Sequence, residues 1–428
     1  MPLNPTAGLP PNIDLLQNVL PYLNARSGWS PAITVSPNGG PGGDGGDFGP
    51  NTPGTTTAGW QEAETYLYNM GGGTIFAIKA TYNITGQLVF YSGVTIFGNG
   101  ATIVSSHGGS AFITNANAIF YRTSIRDMTL DGGGVASQIL TITSAQRSEF
   151  YNIMVQNGSN GILITANAAL TGPESILNAT TTFCRFGFHA NNITGIGLTL
   201  YGLSATNPVT DCDFYFVLFE NIGGTGFYAQ QWCDSNKIGR MEIGLYAANA
   251  IGAAFGSSTN GVYNYAVDQL TVDNYFVANT GCIGLQLNGS QGIIIQAFFI
   301  SPTVANFSAA FQNNSSYNYS IHGLGADSSL YVNYNDGQAS AWGASSPAVP
   351  ASGVYAPNNS EETMEIFITG IGGGVSAYAI KDEFGTIETF TPAAGLAQGF
   401  LCRLYSRQGL ALTYGGAAPT WKWKGCNG

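Results

Sequence analysis

Charge is what this sequence has least of. Lys and Arg number 13 and Asp and Glu 24 in 428 residues, so charged side chains make up 9%, against roughly 25% in ordinary soluble domains. Such a chain keeps its surface wet with Asn, Ser, Thr and Gly in place of salt bridges. A net charge of −11 offers no basic patch to neutralise phosphates, which argues against a nucleic-acid partner. The six cysteines, Cys184, Cys212, Cys233, Cys282, Cys402 and Cys426, lie far apart without a C-x-x-C pair, so zinc spacing is absent. Most read as buried fillers of the core, with Cys402 and Cys426 the first pair to test for a disulfide. No apolar run reaches the roughly 20 residues of a membrane span, and MPLNPTAG has neither the basic nor the apolar region of a signal peptide.

What the sequence has in quantity is glycine, 59 residues, with 22 Tyr and 24 Phe. The chain is organised around residues 57–106. Trp60, Ala63, Tyr66 and Leu67 recur at helical spacing with one apolar face. Thr57 is placed as an N-cap, and Glu62 and Glu64 fall in the first turns, where carboxylates suit the helix dipole. Gly71, Gly72 and Gly73 end the helix. The period then changes to two in short runs, Thr74 to Ile78, Leu88 to Phe90, Val94 to Phe97 and Ala101 to Val104, which read as strands.

This order of parts resembles the start of the pectate-lyase-like superfamily of right-handed parallel β-helices. The carriers are Gly71 to Gly73, the step Ala80-Thr81-Tyr82 and the step Gly93-Val94-Thr95-Ile96-Phe97-Gly98-Asn99-Gly100-Ala101. Lys79-Ala80-Thr81 replaces the family's Pro-x-Gly before the Tyr. The resemblance covers about fifty residues and implies an all-β fold, a right-handed parallel β-helix with an N-terminal capping helix. It leaves the chemistry open, because lyases, hydrolases, epimerases and viral tail spikes share this start.

An internal repeat supports the coil. Asp131, Asn157, Asn191, Asn221, Asn249 and Asn279 each follow an alternating apolar run and precede a Gly-containing turn. Asn tolerates the left-handed backbone region and bonds locally, so these residues are expected to form an amide ladder up one corner. Residues 57–340 then hold about nine rungs, a rod on the order of 45 Å long. Ahead of the coil, residues 1–35 are expected to be an anchor segment, tethered by a flexible Gly/Pro-rich linker over 36–56. Behind it come a second linker, 341–359, and a small antiparallel β-sandwich, 360–428. The ending L-T-Y-x-x-x-A-P-T-W-x-W-x-G, from Leu412 to Gly425, resembles a C-terminal module of virion and extracellular proteins of archaea and their viruses.

The scarcity of charge lets candidate sites be named. In Thr210-Asp211-Cys212-Asp213-Phe214-Tyr215-Phe216, alternation sends Cys212, Phe214 and Phe216 inward and places Asp211, Asp213 and Tyr215 outward together. Two carboxylates so spaced suit an acid/base pair or a Ca2+ site, and otherwise serve solubility. Asp211, Asp213 and Glu220 are the catalytic candidates, with Lys237, Arg240 and Glu242 about one rung on and Arg185 one rung back. The motifs of polygalacturonases and the Ca2+ set of pectate lyases are not evident, and beyond a Ca2+ ion no cofactor is implied. His107 and His189 read as structural, and Asp127 and Asp131 as turn formers. Aromatic rings among amides suit sugar stacking, which makes Tyr215, Trp232, Arg240 and Tyr201 the glycan-binding candidates. Tyr228, Tyr263, Tyr265, Tyr275, Tyr317 and Tyr319 share that setting, with inward packing as the competing reading. Ten N-x-S/T sequons lean toward an exposed glycoprotein.

The expectation that unites these readings is a tail-spike or fibre protein of a virus, an archaeal one included. It would bind a cell-surface polysaccharide or glycoprotein as a homotrimer, joined to other virion tail proteins through residues 1–35, at the virion surface or outside the cell. An extracellular polysaccharide lyase or glycoside hydrolase, and a non-enzymatic cell-surface or matrix protein, are the alternatives.

Overall fold

The structure is a computed structural model. It describes residues 31–167, 180–257, 262–274, 281–300, 307–314, 316, 319–321, 331–332, 348–358, 363–382, 385–405 and 408–426. The chain divides near Tyr331 and Val332 into a large unit and a small C-terminal one, the latter also taking Tyr317–Ser320.

The large unit is a parallel β-helix with three ladders. The first stacks Ala32–Val35, Gly73–Ala77, Val94–Ser105, Ser124–Asp131, Glu149–Gly158, Arg185–Ile193, Asp213–Ile222, Lys237–Leu245, Tyr263–Asn274 and Phe298–Ile300. The second stacks shorter strands, including Phe120–Tyr121, Ala145–Gln146, Thr181–Thr182, Val209–Thr210 and Cys233–Asp234. The third is a ten-stranded sheet from Leu88–Phe90 to Tyr331–Val332, one strand more than the nine rungs expected.

Alternation explains the core. Along the first ladder Ile125, Phe150, Phe186, Phe214, Ile238 and Val267 are register partners, and all are buried. Phe186 lies at the centre of this column, with ring centroids 5.8 Å from Phe150, 4.8 Å from Phe214 and 5.4 Å from Phe188. Cys184, Cys212 and Cys233 are free and buried here, Cys282 is buried with its thiol on Ala247 O at 3.3 Å, and burial pushes the Cys233 thiol up to about 12. Asn236 fills the same interior and is fully satisfied. Its amide accepts from Cys212 N–H at 3.1 Å and donates to Val209 O at 3.1 Å and Tyr265 Oη at 3.0 Å. Tyr265 is therefore a core residue, not a sugar platform, and Tyr319 is buried as well.

The helix spans Trp60–Asn69 and packs against the first strands of the coil. Gly59 is the capping residue, in the left-handed region, and Thr57 caps from two residues earlier by accepting Gln61 N–H at 3.1 Å. Trp60, Ala63 and Leu67 are buried as expected, but Glu64 joins them while Tyr66 stays half-buried. Gly72 N–H closes the helix on Leu67 O at 2.9 Å.

Residues 36–56 are folded, which corrects the linker expectation. Ala32–Val35 already forms the first strand of the first ladder, pairing with Gly73–Ala77. Residues 1–30 lie outside the described residues. The loop that follows turns back on this strand, with Ser36 N–H on Phe48 O at 3.0 Å and Thr34 N–H on an Asp47 carboxylate oxygen at 2.8 Å. A Cβ on Gly39 would stand 2.0 Å from Phe48 O. Here glycine serves close backbone approach, not mobility.

The amide ladder exists, with the turn residue of one coil a position later than expected. Asn157, Asn192 and Asn221 hold left-handed φ values of 57°, 56° and 55°, so the turn residue of that coil is Asn192 and not Asn191. Amide donors climb the corner from Asn157 to Asp131, from Asn192 to Asn157 and from Asn221 to Asn191, each at 2.8 Å. Asn249 is left-handed but lies four residues past Leu245, the partner of Ile222, so it belongs to a different turn. Asn279 lies outside the described residues.

The small unit has two antiparallel sheets, one of four strands and one of three. Val375, Leu410 and Leu412 from the first and Ile366, Ile368, Leu404, Trp421 and Trp423 from the second share one core. Part of the expected second linker belongs to it. Ala356–Pro357 pairs with Gly409 and Leu410, and Tyr414 Oη donates to Pro350 O at 2.7 Å. Cys402 is free and buried. Its register partner Ile366 is three residues from Thr363, which faces Cys426. That offset, on strands flanking a common neighbour, is too long for a disulfide.

Candidate functional site on the first ladder

Among the described residues, the outer face of the first ladder carries many exposed rings and ions of the β-helix. One outward column runs Phe76, Phe97, Arg126 and Tyr151. Phe76 and Phe97 stack at 5.3 Å, and the Arg126 guanidinium lies over Phe97 at 5.1 Å. The neighbouring column is Ser124, Glu149, Arg185, Asp213 and Lys237, in which charges alternate in sign from Glu149 onward. Glu149 pairs with Arg126 at 2.7 Å and Lys237 with Asp268 at 3.7 Å.

A bulge rearranges the strand Asp213–Ile222. Its register shifts against Arg185–Ile193 so that Phe214 faces Phe186 and Phe216 faces Gly187. Tyr215 is the additional residue, and it is 43% exposed. Strict alternation would bury Phe216; the bulge turns it outward instead. Its ring meets Tyr151, two coils away, at 5.7 Å and His189 at 4.9 Å, and Tyr215 meets Tyr151 at 6.0 Å. Gly187 makes this convergence feasible, because a Cβ there would lie 2.8 Å from Phe216 Cζ and 3.2 Å from Tyr151 Cδ2. The result is a cluster of Tyr151, His189, Tyr215 and Phe216 drawn from three coils. Burial lowers the His189 pKa, and the Glu220 charge partly offsets this.

The expected site residues separate into groups. Asp211 is an exposed corner residue with φ 53°, accepting from Thr210 Oγ1 at 3.0 Å. Asp213 opens the next strand, between Arg185 and Lys237 in register. Glu220 lies seven residues further on the same strand, roughly 20 Å away at the rise of a β-strand. That exceeds the separation of any glycosidase carboxylate pair, so Asp213 has Asp211 near it and not Glu220. Tyr215 and Arg240 are on this face, on adjacent coils, with Arg240 opposite Phe216 and bonded through Nε to Glu242 at 3.0 Å. Tyr201 and Trp232 are elsewhere. Tyr201 ends a strand of the third ladder opposite Gln231, and Trp232, with φ 47°, occupies the turn that follows Gln231. Tyr275 and Tyr317 lie outside the described residues. Tyr151, His189 and Phe216 escape a sequence reading, since their meeting depends on a bulge. The one signal was Gly187 between two phenylalanines.

Among the described residues no three His, Cys, Asp or Glu side chains are grouped to hold a metal ion, and no helix is long and apolar enough to cross a membrane.

No protein-family model matches the chain, and no curated protein matches it significantly. Among solved structures it is similar to the enzymatically active domain of tailspike protein 2 of bacteriophage CBA120. The identity is 9% and the TM-score 0.39, over 86% of this chain and 76% of that one. It is also similar to the tailspike protein gp49 of the Acinetobacter baumannii bacteriophage Fri1, a capsular polysaccharide depolymerase. There the identity is 10% and the TM-score 0.30, over 85% of this chain and 80% of that one. Likenesses at this level of identity and superposition carry no functional inference.

Proposed function

We propose that this chain is a tail-spike- or fibre-type protein that binds a cell-surface polysaccharide on the outer face of the first ladder. The supporting observation is the convergence of Tyr151, His189, Tyr215 and Phe216 over Gly187. Flat rings held at fixed spacing on a rigid sheet, beside amides and carboxylates, suit sugar stacking with lateral hydrogen bonds. Membership of a virion, joining to other tail proteins through residues 1–35, homotrimeric assembly and a place at the virion surface or outside the cell belong to the same proposal. Light scattering tests the trimer, and a monomer at micromolar concentration would contradict it.

The test of binding is a polysaccharide panel read by glycan array and calorimetry. Binding of at least one polysaccharide, weakened by Tyr151→Ala and by Tyr215→Ala, is the expected result. A panel without a single binder would refute the reading. Asp211 and Asp213, both exposed and two residues apart, support a second reading, a lyase or hydrolase with or without Ca2+. Release of oligosaccharide that is lost in Asp213→Ala would favour it.

A further inference from the structure

Successive coils pass from the second ladder into the first through one residue in the left-handed region. These residues are Arg122, Arg147, Phe183, Asp211, Ser235, Asn264 and Gly292, with φ values of 48°, 49°, 53°, 53°, 52°, 52° and 69°. They form one column. The residues just before them, Tyr121, Gln146, Thr182, Thr210, Asp234, Tyr263 and Gln291, pair in that order along the second ladder. The corner is also bonded from coil to coil: Arg122 N–H donates to Gln146 O and Arg147 N–H to Thr182 O, both at 3.1 Å, and Ser235 N–H to Tyr263 O at 3.2 Å.

Backbone geometry therefore demands a left-handed residue at each step. Glycine meets that demand without strain and Asn with little, whereas a long or aromatic side chain is penalised. Asn264 and Gly292 follow the rule. Arg122, Arg147 and Phe183 break it in consecutive coils. No interior packing compensates, because all three side chains are exposed, Phe183 at 49%. Arg122 and Arg147 also stand as like charges on neighbouring coils.

What the corner gains is a row of outward groups about 4.8 Å apart. Arg122 lies over the Tyr121 ring at 4.9 Å and Arg147 over the Phe183 ring at 5.5 Å. Arg185, exposed on the adjoining strand, adds a third guanidinium two residues past Phe183. Arg185 has an acidic register neighbour on each side, Glu149, which is paired with Arg126, and Asp213. The described β-helix has few other cations: Lys79, Arg126, Lys237 and Arg240.

We infer that the corner Arg122–Arg147–Phe183, with Arg185, is an anion-recognising edge of the glycan-binding face, and that the polysaccharide taken there carries carboxylate or sulfate groups. The inference rests on the sugar-binding reading above. Guanidinium groups bond carboxylate and sulfate oxygens in pairs, and the interleaved rings offer stacking surface.

The test measures affinity for polygalacturonate, dextran sulfate and neutral dextran over a range of salt, with a single-stranded DNA oligonucleotide as a polyanion control. Tighter binding of one acidic polysaccharide than of dextran or DNA is expected, and which one binds separates carboxylate from sulfate recognition. In the double variant Arg122→Asn with Arg147→Asn that affinity should fall about tenfold or more and depend less on salt. The thermal midpoint, read beside it, shows that the double variant is folded. Unchanged affinity or equal binding of DNA would overturn the inference. A neutral polysaccharide held through Tyr151 and indifferent to both arginines would overturn it while leaving the sugar-binding reading intact. Absence of any polysaccharide binding would sink both.

Discussion

Gly187→Ala tests the aromatic cluster without removing any ring. The new methyl would stand 2.8 Å from Phe216 Cζ and 2.9 Å from Phe216 Cε1. These atoms are the far end of a rotatable ring, so the ring yields and the backbone stays. Two effects then oppose each other. Replacing Gly by Ala at ordinary φ stabilises by about 0.4–1 kcal/mol through the unfolded chain. Displacing Phe216 weakens its contacts with Tyr151 and His189, worth about 0.5–1.5 kcal/mol per aromatic pair. The net change in stability should stay within roughly 1 kcal/mol, while polysaccharide affinity falls about tenfold through loss of a central aromatic platform. Urea unfolding and calorimetric titration of the same preparation measure the two quantities. Wild-type affinity in Gly187→Ala would refute the placement of the site. A stability loss above about 3 kcal/mol would refute the premise that the ring, not the strand, absorbs the clash.

Two further outcomes follow from the interior. Phe186→Ala removes a fully buried ring from contact with three others and should cost about 3–5 kcal/mol, read as a lower urea midpoint, with Phe186→Leu much milder. Glu64 is fully buried, with one oxygen on Tyr91 N–H at 3.1 Å and the other without a partner among the described residues. Burial raises its pKa well above the ordinary value of 4.5. The folded chain thus holds a proton that the unfolded chain releases once pH passes that value. Stability is full below it and declines as pH climbs toward the folded pKa. Glu64→Gln should flatten this decline above pH 4.5 in thermal unfolding, and an unchanged pH slope would contradict the burial.

Fold class, helix and corner asparagines were legible in the sequence because each has a local cause. A change from helical to alternating period reports elements directly, and a turn that needs a left-handed residue reveals itself as Asn. Other features lacked such a cause. Residues 36–56 have the composition of a tether, yet the same glycines permit backbone contact too close for a side chain, and composition does not separate the two. Phe216 fell on the wrong side because period two fails at a bulge. Tyr201 and Trp232 share their surroundings in sequence with Tyr215 and Arg240, but a coil carries each segment to a different ladder. The arginine corner was hidden because nothing in Arg122 or Arg147 announces a left-handed backbone.

The stacked corners make the length of this rod a matter of whole units. Thr182 and Thr210 are partners, and each is followed by a residue of φ 53°. Excising 183–210 would join Thr182 to Asp211 in the conformation that Phe183 holds now. Every later coil would keep its phase, and the rod would shorten by a single rung of about 4.8 Å. Gain or loss of such units resets how far a recognition surface outside the unit stands from its base, without a new hinge.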